Sequence, residues 1–452
     1  MVALSKKILI LTFLPAIIFI IYTLSFYHTM LLWDHFDILF YVEKYYQGTL
    51  TLLDTFQPHG SHFHTVGYWF MLANLILSKG NLLYDAIGNI IFTLIAFGFL
   101  YIQIKETASQ LNNYKFLHFF LPIAAFTLFS LDQASNLVWG WQIAVFINIL
   151  GTILVIINLS RTKLTLSNMI LAIIGVFIAF YTFTTGLALW PIGLTLICLH
   201  QNLPITKKYN YIIIWLVCGI AIISHFYLAI ISQSFSVSTL NLFQIIKYLG
   251  HFTLLYIGSP IVRFANDLAP LFTILGLSIF GWFICSFRKQ PKIITIALPY
   301  IAFILYGLGT AILTAFGRME YGPNQALISR YISFANFFWL GIFGLIIISI
   351  LVKKQNQSQH THKILIGLLT IILSLKLINS IQVSKKNAFI SYKYRTLEKL
   401  IVEQYPTMSE QNLSTLYWHM EKLQNGLKFL AEKRLNLFRH LPEPEDQTLI
   451  QQ

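Results

Sequence analysis

The run ILILTFLPAIIFIIYTLSF, residues 8–26, carries no charge and is about long enough to cross a bilayer as a helix. Comparable runs recur, centred near residues 17, 93, 123, 148, 175, 194, 219, 277, 304, 342 and 373, so hydropathy predicts about eleven transmembrane helices. In a bilayer every backbone polar group needs an internal partner, which makes such runs helical. Only 11% of the residues are charged, against roughly 25% in a soluble domain. The expected fold is all-α, a polytopic membrane protein. Lys6 and Lys7 precede the first run and no small-x-small cleavage site follows it, so it reads as a retained anchor. Cys198, Cys218 and Cys285 all lie inside apolar runs and form no disulfide framework.

Charge sets an expected orientation. With the N-terminus in the cytoplasm, fourteen cations fall on inner connections: Lys6, Lys7, Lys105, Lys115, Arg161, Lys163, Lys207, Lys208, Arg288, Lys289, Lys292, Lys353, Lys354 and Lys363. Six fall on outer ones before residue 383: Lys44, Lys79, Lys247, Arg263, Arg318 and Arg330. Such a bias is the positive-inside rule. Of nine acidic residues in the same stretch only Glu106 falls inside. The net charge of +14 is thus spent on topology, and no nucleic-acid partner is expected. Lys376, within the last run, and Lys385 and Lys386 after it fit this scheme least well.

Residues 1–384 read as the transmembrane domain, with a long first outer loop at about 27–82. That loop holds the amphipathic FDILFYVEKYY and the apolar TVGYWFMLANLILS, which is short for a crossing. A second outer segment, about 231–267, is amphipathic around Lys247 and His251; a third spans about 317–331. Residues 385–452 read as a small polar helical region, on the periplasmic side if the last run crosses.

Three of the 17 acids stand within ten positions of the first outer loop: Asp34, Asp37 and Glu43. Asp34 and Asp37 share a face of a helical turn. Capping or interfacial solvation accounts for such a pair. So does a general base, because the flanking Trp33, His35, Phe36 and Phe40 would raise a carboxylate's affinity for protons. His59, His62 and His64 follow in a turn punctuated by Pro58 and Gly60. They suit a phosphate- or sugar-binding loop or an ordinary interfacial cluster. As metal ligands they lack a strong zinc spacing, with only Asp54 near. In SLDQASNLVWGWQIAVF the polar residues Asp132, Gln133, Asn136 and Gln142 enter apolar surroundings beside Trp139 and Trp141. The tryptophans can be interface anchors; an amide such as Gln142 needs a partner. In FGRMEYGPNQALISRYISF, Arg318, Glu320, Arg330 and Tyr331 stand at the mouth of two runs, where an arginine can snorkel or bind a phosphate. No GxGxxG, Walker, HExxH or GxSxG pattern stands in a supporting context.

Carboxylates, cations able to neutralise phosphate and aromatics able to stack on sugars, all at one membrane face, suit glycosyl transfer from a polyprenyl-phosphate donor. The layout resembles the glycosyltransferase C superfamily, and within it bacterial members with HNEHR-like, ENLLWGFQ-like, NGLLVWP-like and SRY motifs. Their counterparts here are HGSHF (59–63), QASNLVWGWQ (133–142), TTGLALWP (184–191) and SRY (329–331). LQNGLKFLAEKRLNLF is similar to the end of such chains. Ser61 and Phe63 depart from the first motif, where the family has an acid and an arginine. The resemblance implies Asp34 or Asp37 as base, with Asp34 nearer the first helix. It also implies Arg330 as the foremost phosphate ligand, then His59 and His62, then Arg318. His64, Gln133, Trp139, Gln142 and Tyr331 complete the expected substrate site. A divalent metal is not required, although His59, His62 and His64 could offer ligands. The implied protein is an inverting transferase of the bacterial inner membrane, acting on the periplasmic face on a cell-envelope glycan or glycolipid. A transporter or flippase of a lipid-linked glycan, a polymerase of lipid-linked units and a non-catalytic envelope-assembly protein are the alternatives.

Overall fold

Among the described residues of the computed structural model, ten helices are long and apolar enough to cross a membrane. It describes residues 5–60, 62–231, 241–352, 359–405 and 407–440. Among these there is no strand, only a backbone bridge between His59 and His62. The helices are α1 (Lys6–Phe26), α2 (Leu39–Tyr46), α3 (Thr65–Leu77), α4 (Leu83–Gln110), α5 (Lys115–Leu128), α6 (Ala134–Val138), α7 (Ile143–Leu159), α8 (Leu166–Phe180) and α9 (Leu189–Leu199). They continue as α10 (Ile205–Phe226), α11 (Leu242–Val262), α12 (Ala269–Phe287), α13 (Pro291–Gly317), α14 (Ile332–Val352), α15 (Gln359–Gln404), α16 (Glu410–Leu413) and α17 (Met420–Glu432). The chain is an all-α polytopic membrane protein.

Helices that are apolar on every side belong in the middle. α14 is buried continuously from Ile332 to Ser349, and α7 from Ile143 to Ile149 and Gly151 to Leu159. α10 buries only Tyr211, Trp215 and Gly219 and presents the rest outward. Small residues let backbones touch: a Cβ on Gly341 of α14 would lie 2.4 Å from the Tyr300 carbonyl of α13. Tyr306 donates to Asn148 Oδ1 at 2.7 Å, tying α13 to α7.

Three features differ from the sequence reading. The runs centred near 175 and 194 are the short helices α8 and α9, because the chain is extended at Phe183 and makes a 3₁₀ turn at Thr184–Ala188. Gly186 allows this turn to press on α8, since a Cβ there would lie 2.5 Å from Phe180 N. Secondly, the segment read as an outer amphipathic stretch contains α11, 21 residues long and apolar enough to span. Asn241 and Gln244 close a reciprocal cap at its start, and from Leu255 onward it is buried. Thirdly, the boundary read at 384/385 falls inside α15, which runs unbroken for 46 residues, about 70 Å. No Gly or Pro occurs between Gly367 and Pro406 to stop it.

Lys376 also finds its explanation. It is fully buried, bonded to Asp132, and donates to Asn336 Oδ1 at 2.6 Å. The result is a closed pair joining α15 to the segment after α5 and to α14.

A second apolar core forms beside the bundle. Leu31, Phe36, Leu39 and Val42 of the first loop and Phe63, Tyr68 and Met71 around α3 pack with Leu416, Leu423, Leu427 and Leu430 of the C-terminal region. Asn436 pins the arrangement. It is buried; its Nδ2 donates to the Gly80 and Thr29 carbonyls at 2.8 and 3.2 Å, and its Oδ1 accepts from Leu31 N at 3.1 Å.

Candidate functional site

Between the first loop, the 135–142 and 313–331 segments and the C-terminal region lies a cavity of about 850 Å³. Asp34, His59, His62, His64, Trp139, Gln142, Arg318, Arg330 and Tyr331 all line it. Asp37 and Gln133 do not.

Asp34 and Asp37 lie on a 3₁₀ helix, Trp33–Ile38. At three residues per turn, positions three apart eclipse, which brings the two carboxylates together. Trp33 enters the turn at φ 52, a strained value for a bulky residue, and its N–H is held by the Leu416 carbonyl at 2.6 Å. Asp37 is already engaged: Tyr417 donates to its Oδ1 at 2.7 Å, Lys422 lies at 3.7 Å, and His59 Nε2 is 3.8 Å from Oδ2. Asp34 instead faces the cavity. Burial raises its pKa above the ordinary carboxylate value, partly opposed by His59 and Arg330.

The histidines stand where HGSHF folds back on itself. His59 N donates to the His62 carbonyl at 2.7 Å and His62 N to the His59 carbonyl at 3.1 Å, around Gly60 at φ +56. Residue 61, where the motif departs from the family pattern, lies outside the described residues. Phe63 is fully buried and stacks on His225. Burial lowers the pKa of His62 to about 3, with Arg318 adding to the effect, and holds His64 well below its usual value. Both imidazoles are therefore neutral, and each Nδ1 is buried without a partner.

Arg318 and Arg330 are the cations of the cavity. Among the described residues neither lies within ion-pair distance of a carboxylate. Each guanidinium sits 5.6 Å from a tyrosine ring centroid, Arg318 over Tyr321 and Arg330 over Tyr331, and Arg330 Nε is buried and unpartnered. The SRY turn is positioned by the QASN stretch. Asn136 Nδ2 donates to the Arg330 carbonyl at 3.1 Å and to Ser333 at 2.8 Å, and Ser135 bonds Ser329.

Gln133 belongs to this clasp and not to the expected ligand set. Its Nε2 donates to the Leu128 carbonyl at 2.8 Å and its Oε1 accepts from Ser333, which satisfies both ends away from the cavity. Trp139 likewise donates its indole N–H to the Leu32 carbonyl at 3.2 Å. Gln142 lines the cavity with Oε1 unpartnered. Gly140 between them sits tightly: a Cβ would lie 3.0 Å from His35 Cε1 and 3.1 Å from Asp85 Oδ2.

The metal-capable set differs from the three histidines. Asp34, Asp37 and His59 offer ligand atoms all within 4.8 Å of one another, a carboxylate–imidazole set suited to a divalent ion. Asp54, considered as a completing ligand, is taken by Lys44 at 2.6 Å. Sequence reasoning missed Tyr321, Tyr417, Trp418 and His28, which reach the cavity or its carboxylates. Tyr417 and Trp418 stand more than 300 residues from Asp34 in sequence, so only the fold joins them. Compared with family models, curated proteins and solved structures, the chain matches none.

Proposed function

We propose that the chain is a membrane glycosyltransferase that moves a sugar from a polyprenyl-phosphate donor to a glycan or glycolipid acceptor. The observation that carries the reading is the pairing, in one cavity, of a proton-accepting carboxylate, Asp34, with two guanidiniums, Arg318 and Arg330, that pair with no carboxylate among the described residues. Arginines that line a partly apolar cavity favour a phosphate that forks across N–H donors.

In the proposed step Asp34 takes the proton of an acceptor hydroxyl, whose oxygen bonds the anomeric carbon of the donor. The bond from that carbon to the phosphate oxygen breaks, and the leaving phosphate keeps its electron pair, stabilised by Arg318 and Arg330. A single displacement inverts the anomeric centre. Asp37, tied to Tyr417 and Lys422, holds the turn and fixes Asp34 in place. Neutral His62 and His64 can bond sugar or phosphate oxygens. A divalent ion held by Asp34, Asp37 and His59 would neutralise phosphate charge. Apolar walls such as Leu187, Leu313 and Phe316 suit the lipid portion of the donor. The charge distribution supports a cytoplasmic N-terminus and a cavity on the outer face, which in this reading is the periplasmic face of a bacterial inner membrane.

The test is mass spectrometry of envelope glycans from a deletion strain carrying wild type, Asp34→Asn, Asp37→Asn or Arg330→Ala at matched expression. The reading expects one glycoform to lose a single sugar on deletion, restored by wild type and not by Asp34→Asn or Arg330→Ala. Restoration by both of those variants refutes it.

A further inference from the structure

The transfer chemistry above leaves one part of the cavity unused. Residues 407–440 pack on the first loop, and almost every large apolar side chain there is buried: Leu416, Tyr417, Leu423, Leu427 and Leu430. Trp418 is the exception, 60% exposed and lining the same cavity as Asp34. The two residues before it are anchored. The Leu416 carbonyl holds Trp33 N, and Tyr417, stacked on Phe36, bonds Asp37. Tyr417 reaches the carboxylates and Trp418 lies beside it at the cavity wall, their ring centroids 4.5 Å apart.

The 318–331 segment presents a second exposed ring. Tyr321, 62% exposed, also lines the cavity, with Arg318 over its ring and Gly322 beside it at φ +78. Two exposed aromatic rings from distant parts of the chain therefore border one cavity that holds a base and two cations. The face of an aromatic ring is electron-rich and attracts the weakly positive C–H groups of a pyranose. A tryptophan kept out of the adjacent core, in a segment outside the apolar helices, is placed for such a ligand.

We propose that Trp418 and Tyr321 form the acceptor subsite, stacking on a pyranose of the acceptor glycan so that a hydroxyl reaches Asp34. This rests on the transferase reading for the name "acceptor"; the carbohydrate contact itself does not. The test uses purified full-length protein in nanodiscs, fluorescently labelled, on a printed panel of bacterial surface glycans. Wild type, Trp418→Ala, Trp418→Phe and Tyr321→Ala are compared, each first shown to be monodisperse with wild-type helix content. The expected result is retention of at least one glycan by wild type. Trp418→Ala loses roughly ten-fold or more, as truncation of an anchoring aromatic does, while Trp418→Phe stays within a few-fold and Tyr321→Ala is intermediate. Equal retention by Trp418→Ala, as a bilayer-interface anchor would give, overturns the proposal. So does the absence of any retained glycan with wild type. Trp418-dependent retention together with an Asp34→Asn variant that restores the glycoform would leave the subsite standing and remove the transferase.

Discussion

Replacing Lys376 by Met tests whether the buried pair with Asp132 holds the bundle together. Both side chains have no exposed surface and Asn336 is 5% exposed. Without Lys376, Asp132 keeps a single bond of 3.3 Å from Asn336 Nδ2, and Asn336 Oδ1 loses its donor. Breaking a buried ion pair on one side costs about 3–5 kcal/mol. At about 1.4 kcal/mol per decade, the unfolding equilibrium should move by between about a hundred- and several thousand-fold. The assay is equilibrium unfolding by sodium dodecyl sulfate in mixed micelles, followed by circular dichroism. Lys376→Met combined with Asp132→Asn removes both charges, so it should recover most of the loss. Ordinary interhelical hydrogen bonds in membranes couple by about 0.6 kcal/mol on average. A coupling no larger than that, or a double variant as unstable as the sum of the singles, refutes the reasoning.

Other outcomes are expected. Asn436→Ala removes three buried hydrogen bonds to the first loop and to Gly80; limited proteolysis should then cut near residues 405–409 faster, for a cost of about 1–3 kcal/mol. Gly140→Ala pushes on His35 and Asp85 and should lower the thermal midpoint, an overpacking cost of about 1–3 kcal/mol. Asp34 has a folded pKa raised above its unfolded value. The folded state therefore binds its proton more tightly, and stability is lost as pH rises from the ordinary carboxylate value through the raised one. Asp34→Asn should accordingly raise the neutral-pH unfolding midpoint while abolishing transfer; a lowered midpoint contradicts this. His35 and His62 are depressed to about 3 by burial. Unfolded histidine protonates first as pH falls from about 6.5 toward 3, so stability should drop there by about 1.4 kcal/mol per pH unit for each. The slope should flatten in His62→Gln.

How much of this could be read in the sequence depends on distance along the chain. Uncharged runs such as 8–26 and 332–349 announce their burial, since a helix apolar all round has only a membrane or a core to sit in. The spacing of Asp34 and Asp37 predicted a shared face, and a 3₁₀ turn provides it. The sequence could not say which of the two faces the cavity. That is decided by Tyr417 and Lys422, 380 or more positions away. Gln133 looked like a ligand because it opens the QASNLVWGWQ stretch; its partners are Leu128 and Ser333, which close the SRY turn from behind. Hydropathy did not single out α11, since Lys247 and His251 in its exposed first half mask an apolar second half.

The packing of the first loop on the last described residues sets a timetable for synthesis. Leu31, Phe36 and Leu39 emerge early, yet the leucines that cover them, 416 to 430, come last. At 5–20 residues per second a ribosome needs roughly 20–80 s to bridge that gap. For that interval the loop stands uncovered, and the turn bearing Asp34 lacks the Leu416 carbonyl that holds it. A chain stopped short of residue 416 would insert most of its helices and still have no finished cavity.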